Sequence, residues 1–136
     1  MVGVHLIVRE AKPEDAFRLS ELYGQLVNNP SVNVEPEQIQ VLYDEARSKL
    51  FVCDYQGKVV GSALVSLCSD VMFRTQPFAV VENVIVDVAA RGLGVGTALF
   101  KAIEIFCVST NCSKIMLLSS SQRLDSHAFF EKQGFK

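Results

Sequence analysis

A glycine-rich loop is the first segment whose residue types and spacing suggest chemistry. It spans residues 91–96, with the sequence Arg-Gly-Leu-Gly-Val-Gly, and it follows an apolar, strand-like stretch and opens a helix with an apolar face. The first amide groups of a helix have no partners within the helix, and the helix dipole places about half a positive charge there. The order strand, glycine loop, helix therefore favours a site that binds an anion such as a phosphate.

Two well-known phosphate loops do not match this segment. A dinucleotide-binding loop has the spacing G-x-G-x-x-G within repeated strand-helix-strand units, whereas these glycines stand at positions 92, 94 and 96. The nucleotide-binding P-loop needs a lysine after its last glycine, but Gly96 is followed by Thr97. A simple connection without a ligand stays open as an alternative, since a short glycine motif is weak evidence alone.

An acidic residue interrupts the apolar strand that precedes the loop. Strand alternation over residues 78–88 places Glu82 on one face, and Asn83 and Ile85 on the opposite face. The residues predicted to share the face of Glu82 are all apolar, namely Phe78, Val80, Val84 and Val86. A carboxylate on an apolar face is unusual, and Glu82 is therefore a candidate functional residue.

The cysteines and histidines form no metal or disulfide pattern. The four cysteines include no C-x-x-C pair, and the chain has only two histidines. The cysteines stand in or beside apolar stretches, where a free cysteine behaves as a small buried side chain, and free cysteines are typical of a reducing compartment. We therefore expect no metal site and four free thiols.

The composition predicts one soluble domain. The 136 residues include 13 Lys and Arg against 15 Asp and Glu, a net charge of −2, and 49% are hydrophobic. This length suits a single domain, residues 1–136, with a sizeable core. No basic cluster attracts nucleic acid or anionic membranes, and no leader peptide or membrane-spanning stretch is visible. We expect a cytoplasmic protein whose partner is a small molecule or another protein.

The hydrophobic pattern predicts alternating strands and helices around the loop. The order is β-α-α-β-β-β-α-β-α, followed by the start of a further strand. The predicted strands cover residues 5–9, 50–55, 59–67, 78–88 and 114–118, and the predicted helices begin near residues 12, 35, 95 and 125. This order places the glycine loop between the fourth strand and the third helix.

Two segments of the chain resemble motifs of the GNAT superfamily of N-acetyltransferases. Residues 91–96 match the Q/R-x-x-G-x-G/A loop by which that family holds the pyrophosphate of acetyl-CoA, and residues 129–135 resemble its F-Y-E-K-x-G-F segment. The element order agrees over the whole chain. The resemblance implies an α/β (α+β) fold, with a mixed, mostly antiparallel central sheet and helices on both faces.

The resemblance also implies an activity and a set of cofactor contacts. Relatives transfer an acetyl group from acetyl-CoA to an amine by direct attack in a ternary complex, and we expect a small-molecule primary amine as acceptor. In relatives the pantetheine arm pairs with the main chain of the fourth strand. The cofactor-binding residues that the resemblance implies are Val84, Ile85, Val86, Arg91, Gly92, Leu93, Gly94, Val95, Gly96, Thr97, Arg123, Phe129 and Phe130.

Glu82 is the expected catalytic base. Relatives often carry an acidic residue in this part of the strand, and a carboxylate there can take the proton of the acceptor ammonium, directly or through water. Burial on an apolar face would make such a carboxylate a better base, because burial disfavours the charged form. Two alternatives stay open, namely that Glu82 only binds the cationic acceptor or that it faces solvent.

Phe130 departs from the family pattern. Many relatives have a tyrosine here whose hydroxyl lies near the sulfur of CoA, and phenylalanine has no proton to give to the leaving thiolate. A thiol with a pKa of about 8.5 can leave without an acid, and we expect activity to persist. The departure motivates one alternative, an acyl-CoA-binding sensor or partner module with little turnover. An acetyltransferase of protein lysines or N-termini is a further alternative.

The last predicted helix and two loops bear on the acceptor. Residues 123–130 resemble the R-x-D-A-H-x-F-Y variant of a subgroup that includes aminoalkylphosphonate acetyltransferases. By that resemblance Arg123 contacts CoA or an anionic acceptor. Acceptor specificity is expected from the predicted loops at residues 28–35 and 68–77. Arg74 in the second loop would favour a carboxylate or phosphonate, or it is simply solvated.

The chain ends at Lys136, directly after the Gly-Phe pair of the second motif. Relatives continue with a further strand that packs beside the strand before the last helix. We expect that this strand is missing from the sequence or is supplied by a partner chain. An unpaired edge beside the cleft would then favour a homodimer.

Overall fold

A five-stranded mixed sheet forms the centre of the computed structural model, which describes residues 5–117. The strands are β1 (Leu6–Glu10), β2 (Ser48–Tyr55), β3 (Lys58–Cys68), β4 (Phe78–Val86) and β5 (Ile115–Leu117). Their order in the sheet follows the chain, with antiparallel pairs from β1 to β4 and a parallel pair between β4 and β5. This mixed, mostly antiparallel sheet confirms the predicted fold class.

Three α-helices accompany the sheet within the described part of the chain. They are α1 (Ala16–Leu26), α2 (Pro36–Asp44) and α3 (Val95–Ser109), and short 3₁₀ turns occupy Pro13–Asp15 and Val88–Ala90. α3 connects β4 to β5, as a parallel pair of strands requires a crossover. The last predicted helix and the strand after it lie outside the described residues.

The first helix begins later than the sequence predicts. The predicted start near residue 12 is a 3₁₀ turn, and α1 itself begins at Ala16. The Asp15 carboxylate accepts hydrogen bonds from Arg9 Nη1 and from the Lys12 amide, both at 2.8 Å. These bonds hold the turn against β1, so the chain is tied to the sheet before the regular helix starts.

Two layers of apolar side chains hold the helices against the sheet. On one face, α1 and α2 bury a cluster with β2 that contains Leu19, Leu22, Ile39, Leu50 and Val52. On the other face, α3 buries a cluster with β3 and β4 that contains Ala63, Val65, Val81, Phe100 and Ile103. Helices therefore lie on both faces of the sheet, as predicted.

α3 approaches the sheet most closely at Gly61 of β3. A β-carbon at this position would lie 2.5 Å from Val95 Cγ1 and 3.2 Å from Leu99 Cδ1. Both neighbours are buried side chains of α3 with little room to move. Glycine at this position therefore sets how near the start of α3 lies to the sheet.

Gly61→Ala is expected to lower the free energy of unfolding by about 1–3 kcal/mol, because α3 must shift to admit the methyl group. Gly24→Ala is the matched control, since no atom lies within 4 Å of a β-carbon at Gly24 in α1. Alanine there is expected to raise the free energy of unfolding by about 0.5–1 kcal/mol. Urea unfolding of both variants measures the difference. A neutral Gly61→Ala would contradict the close contact.

Candidate active site

A β-bulge interrupts β4 before the glycine loop. β3 pairs through Leu64 with Glu82 and through Ser62 with Ile85. One residue of β3 therefore stands opposite two residues of β4, which is the pattern of a bulge. Asn83, the first of those two, has a φ of +55°. Asparagine enters this left-handed region more readily than most residues, which suits it to the position.

The bulge reverses the faces of the second half of β4. Val84 and Val86 pack against the clusters on the α3 side of the sheet, whereas Ile85 is buried in the α1 and α2 cluster. The predicted single face that holds Glu82, Val84 and Val86 is therefore wrong. One extra residue shifts the alternation, and a regular period of two cannot locate it.

Glu82 lies on the face covered by α1 and α2, and it is exposed. Its partner in the register, Leu64, packs against that cluster, and directly paired residues of antiparallel strands point to the same face. Glu82 is therefore not buried on an apolar face, and its exposure agrees with the alternative that it faces solvent. The bulge places Asn83 beside a cavity on this same face. Two adjacent polar residues, Glu82 and Asn83, therefore lie on one side of the sheet.

A cavity of about 460 Å³ opens beside the bulge, bounded by α1, α2 and the loop between them. Its apolar lining includes Leu26, Val34, Ile39, Leu42 and Leu50. Its polar lining consists of Tyr23, Asn33, Glu35, Gln38 and Asn83. The volume falls within the range of about 300–1,000 Å³ that is typical of small-molecule sites.

The two loops predicted to set specificity differ in their relation to this cavity. Residues 32–35 of the first loop line it, whereas residues 68–77 are absent from the lining within the described chain. Arg74 is exposed and belongs to that second loop. Most of the described residues that line the cavity therefore belong to α1, α2 and the loop between them.

Tyr23 lines the cavity, and its surroundings change the acidity of its hydroxyl. Burial raises the pKa of this hydroxyl, and the Ser62 side chain partly offsets the rise. Ser62 is fully buried and donates its own hydrogen bond to the Phe51 carbonyl oxygen at 2.9 Å. Tyr23 therefore stays protonated at neutral pH.

The glycine loop connects β4 to α3 as predicted. Gly92 and Gly94 have φ angles of +88° and +86°, a region that a β-carbon disfavours. No atom lies within 4 Å of the position that a β-carbon would take at either residue. Gly94 immediately precedes α3, and Val95 is buried against the sheet. The main chain is open to approach at both glycines, while the first turn is held firmly by its valine.

An ion pair between a buried aspartate and a half-buried arginine, which the sequence did not reveal, anchors the segment between β4 and the glycine loop. Asp87 is 5% exposed and pairs with Arg18 of α1. Asp87 also accepts hydrogen bonds from the Ala89 amide at 3.0 Å and from Gln25 Nε2 at 3.3 Å. Arg18 Nε donates to the Val59 carbonyl oxygen at 2.7 Å. The loop is thus tied both to α1 and to the sheet.

The partners of Asp87 determine its ionisation. The hydrogen bond from the Ala89 amide, together with the Arg18 ion pair and the Gln25 hydrogen bond, lowers the pKa of the carboxyl, although burial opposes this. No local signal marks this network, because Arg18 and Asp87 are 69 positions apart.

Within the described part of the chain, β4 and β5 pair at three positions of each strand. The register joins Ala79 to Ile115 and Val81 to Leu117. Within residues 5–117, residues 82–86 of β4 have no strand partner on the β5 side. The main-chain groups of the predicted pantetheine contacts, Val84, Ile85 and Val86, belong to this stretch.

The described residues were compared with the patterns of metal sites, membrane-spanning helices and reactive cysteines. No group of His, Cys, Asp and Glu within residues 5–117 is arranged to hold a metal ion, and no helix there is long and apolar enough to cross a membrane. All four cysteines are free thiols, as predicted. Burial is the main cause that raises the pKa of Cys53 to about 11 and of Cys107 to about 12. Neither thiol is therefore an activated nucleophile.

The structure brings together some of the predicted contact residues and leaves others undescribed. After β4 and the short turn Val88–Ala90 come the loop and first-turn residues Arg91, Gly92, Leu93, Gly94, Val95, Gly96 and Thr97. Arg123, Phe129 and Phe130 lie outside the described residues. Their contacts, and the likeness of residues 123–130 to the aminoalkylphosphonate subgroup, stay predictions.

Comparisons with known proteins find relatives over nearly the whole chain. The model of the acetyltransferase (GNAT) family matches residues 16–135. A glucosamine 6-phosphate N-acetyltransferase of Trypanosoma brucei brucei is 31% identical over 136 residues, which are 98% of this chain and 90% of that protein. An aminoglycoside N(6')-acetyltransferase type 1 of Stenotrophomonas maltophilia is 28% identical, over 100% of this chain and 90% of that protein. The crystal structure of a Trypanosoma brucei acetyltransferase has a TM-score of 0.81 at 30% identity, over 97% of this chain and 93% of that chain.

Proposed function

Because the chain belongs to the GNAT family of acetyltransferases, we propose that it transfers the acetyl group of acetyl-CoA to the primary amine of a small molecule, by direct attack in a ternary complex. The observation that carries this proposal is the bulge in β4, which lies between a cavity of small-molecule size and the stretch of strand that leads to the glycine loop. The names of the two relatives, acting on glucosamine 6-phosphate and on aminoglycosides, support an amine acceptor.

The residues of the glycine loop suit the pyrophosphate of acetyl-CoA. Open space above Gly92 and Gly94 admits a bulky anion close to the main chain, and the amides of the first turn of α3 provide donors at the positive end of a helix of 15 residues. Arg91 adds a full positive charge. Residues 84–86 of β4 provide main-chain groups for the pantetheine arm, and Arg123, Phe129 and Phe130 complete the proposed contact set.

Glu82 is the proposed base. Bound acetyl-CoA supplies a thioester whose carbonyl carbon a neutral amine can attack, with release of the CoA thiol. Glu82 takes one proton from the acceptor ammonium, directly or through one water, so that the nitrogen lone pair becomes available. Its position on the cavity face supports this role, and its exposure allows the proton to pass on to solvent.

Main-chain and placement effects supply the remainder of the proposed rate enhancement. An amide N–H of Val84 or Ile85, next to the bulge, would donate to the carbonyl oxygen as negative charge develops on it. The cavity and the glycine loop would hold the two reactants in contact. No acid is assigned to the thiolate, because Phe130 has no proton to give and a thiol with a pKa of about 8.5 is a good leaving group.

Release of free thiol from acetyl-CoA, measured against a panel of primary amines, tests the proposal. We expect saturable release that depends on both substrates, with the acetylated amine identified by mass spectrometry. Tight binding of acetyl-CoA without release for any amine would favour an acyl-CoA sensor instead. Release with lysine-containing or N-terminal peptides, but with no small amine, would favour a protein acetyltransferase.

Gly94→Ala is expected to raise the KM for acetyl-CoA and to lower the free energy of unfolding by about 1–2 kcal/mol, because alanine disfavours a φ of +86°. Gly57→Ala is the matched control. Gly57 has a φ of +83° in the β2–β3 turn, again with no atom within 4 Å of a β-carbon. The control should lose similar stability and keep its KM for acetyl-CoA. Equal KM values in the two variants would contradict a cofactor role for the loop.

A further inference from the structure

We propose that the acceptor is a primary amine on an apolar body, without a phosphate or carboxylate group, and that the cavity between α1 and α2 binds it. This inference rests on the proposed function, since it names the substrate class of the same site. It is carried by the chemistry of the cavity wall, which combines an apolar surface with one acidic side chain and no basic side chain in the described lining.

The apolar wall is extensive and well supported. Leu50 and Ile39 belong to the buried cluster beneath α1 and α2, and Leu26, Val34 and Leu42 pack against the same cluster. Their outer surfaces line the cavity. An acceptor with an apolar ring or chain would remove this surface from water, which is favourable by about 25 cal/mol per Å² of apolar area.

The charges around the cavity disfavour an anion. Within residues 5–117 no Lys, Arg or His lines it, and Glu35 is its single charged lining residue. The positive end of α2 also lies here, but Glu35 and Glu37 offset its charge and Pro36 removes one of its donors. Among the described residues, a phosphate or carboxylate placed in this cavity would find no cationic partner and would meet the Glu35 carboxylate.

The polar end of the cavity suits an amine. Asn83 lines it at the bulge, and Glu82 lies on the same face of the sheet. An ammonium group at this end would find oxygen acceptors and a base. The acceptor is therefore oriented with its amine towards β4 and its apolar body between the helices.

Matched pairs of amines test the inference. Phenethylamine is compared with phenylalanine, which adds a carboxylate, and glucosamine with glucosamine 6-phosphate, which adds a phosphate. Binding to the CoA-saturated protein is measured by calorimetry, and transfer by thiol release. In each pair the anionic member is expected to bind and react on the order of tenfold more weakly or worse, because an unpaired charge is costly to desolvate. Phenethylamine is expected to bind more tightly and to react faster than glucosamine.

A charge reversal at the cavity wall provides the matched variants. Glu35→Lys is expected to bring the affinities for phenethylamine and phenylalanine closer by several-fold. Glu37→Lys makes the same change at the same exposed helix end, but Glu37 does not line the cavity. In this control the ratio of the affinities for phenethylamine and phenylalanine should stay near the wild-type ratio. Both positions are exposed, so neither change should prevent folding.

The two readouts separate the acceptor class from the reaction. If phenethylamine binds and no acetyl group moves, the proposed function fails and the ligand class holds. If the member of a pair that carries a carboxylate or phosphate binds and reacts as well as the member that lacks it, the ligand class is overturned and acetyl transfer holds. Equal shifts from Glu35→Lys and Glu37→Lys would also overturn the assignment, because they would show a general charge effect.

Discussion

Glu82→Gln is expected to lower kcat/KM for acetyl transfer by about 10²–10⁴-fold, the usual contribution of a general base, with acetyl-CoA affinity unchanged. Glutamine keeps the size and polarity of the side chain and removes its ability to take a proton. Because Glu82 is exposed, the free energy of unfolding should change by less than about 0.5 kcal/mol. Initial rates across a range of pH values, with both substrates varied, measure the effect.

The shape of the kinetic change decides between the roles proposed for Glu82. Loss of a base lowers kcat and alters the pH–rate profile. Loss of a group that only binds the amine raises the KM for the amine and leaves kcat unchanged. Glu104→Gln is the control, since Glu104 is exposed on α3, on the opposite face of the sheet. Unchanged kcat and pH profile in Glu82→Gln would remove this residue from the chemistry.

Asp87→Ala is expected to lower the free energy of unfolding by about 1.5–3 kcal/mol, because it removes the charged hydrogen-bond acceptor of the half-buried Arg18 guanidinium. The change also removes the acceptor for the Ala89 amide and for Gln25. These contacts fix the segment that leads into the glycine loop. A rise in the KM for acetyl-CoA should therefore accompany the loss of stability.

Glu21→Gln is the control for Asp87→Ala. Glu21 pairs with the same Arg18 at 3.2 Å, but its side chain is 49% exposed against 7% for Asp87. Exposed pairs contribute less than about 1 kcal/mol, and this variant should keep its KM. Urea unfolding and initial rates measure both variants. If the two variants lose similar free energy of unfolding, the burial of Asp87 does not strengthen its ion pair with Arg18.

The pH dependence of stability follows from the lowered pKa of Asp87. A carboxyl whose pKa is lower in the folded state stabilises the protein fully above its unfolded pKa of about 3.9. That stability is lost as the pH falls through the folded value. Asp87→Ala lacks this contribution. The difference in free energy of unfolding between the wild type and the variant should therefore become smaller below about pH 4.

Much of the fold could be predicted because its signals are local. The apolar period of α3 and the turn between β2 and β3 are visible in short windows of sequence, and the structure has both. The start of α1 was misplaced because the bonds from Arg9 to Asp15 depend on β1. The face of Val84 and Val86 was misplaced for a similar reason, since a bulge depends on the pairing of two strands.

The sequence by itself determined the family, the element order from β1 to β5 and the glycine loop, because residue spacing within a few positions decides helix periods, turns and main-chain access. Only the tertiary structure decided which residues share a face and a site. The bulge at Asn83, the cavity between α1 and α2, and the Arg18–Asp87 pair all join residues that are distant in the chain. Their positions follow from packing and strand register, which are properties of the folded chain as a whole.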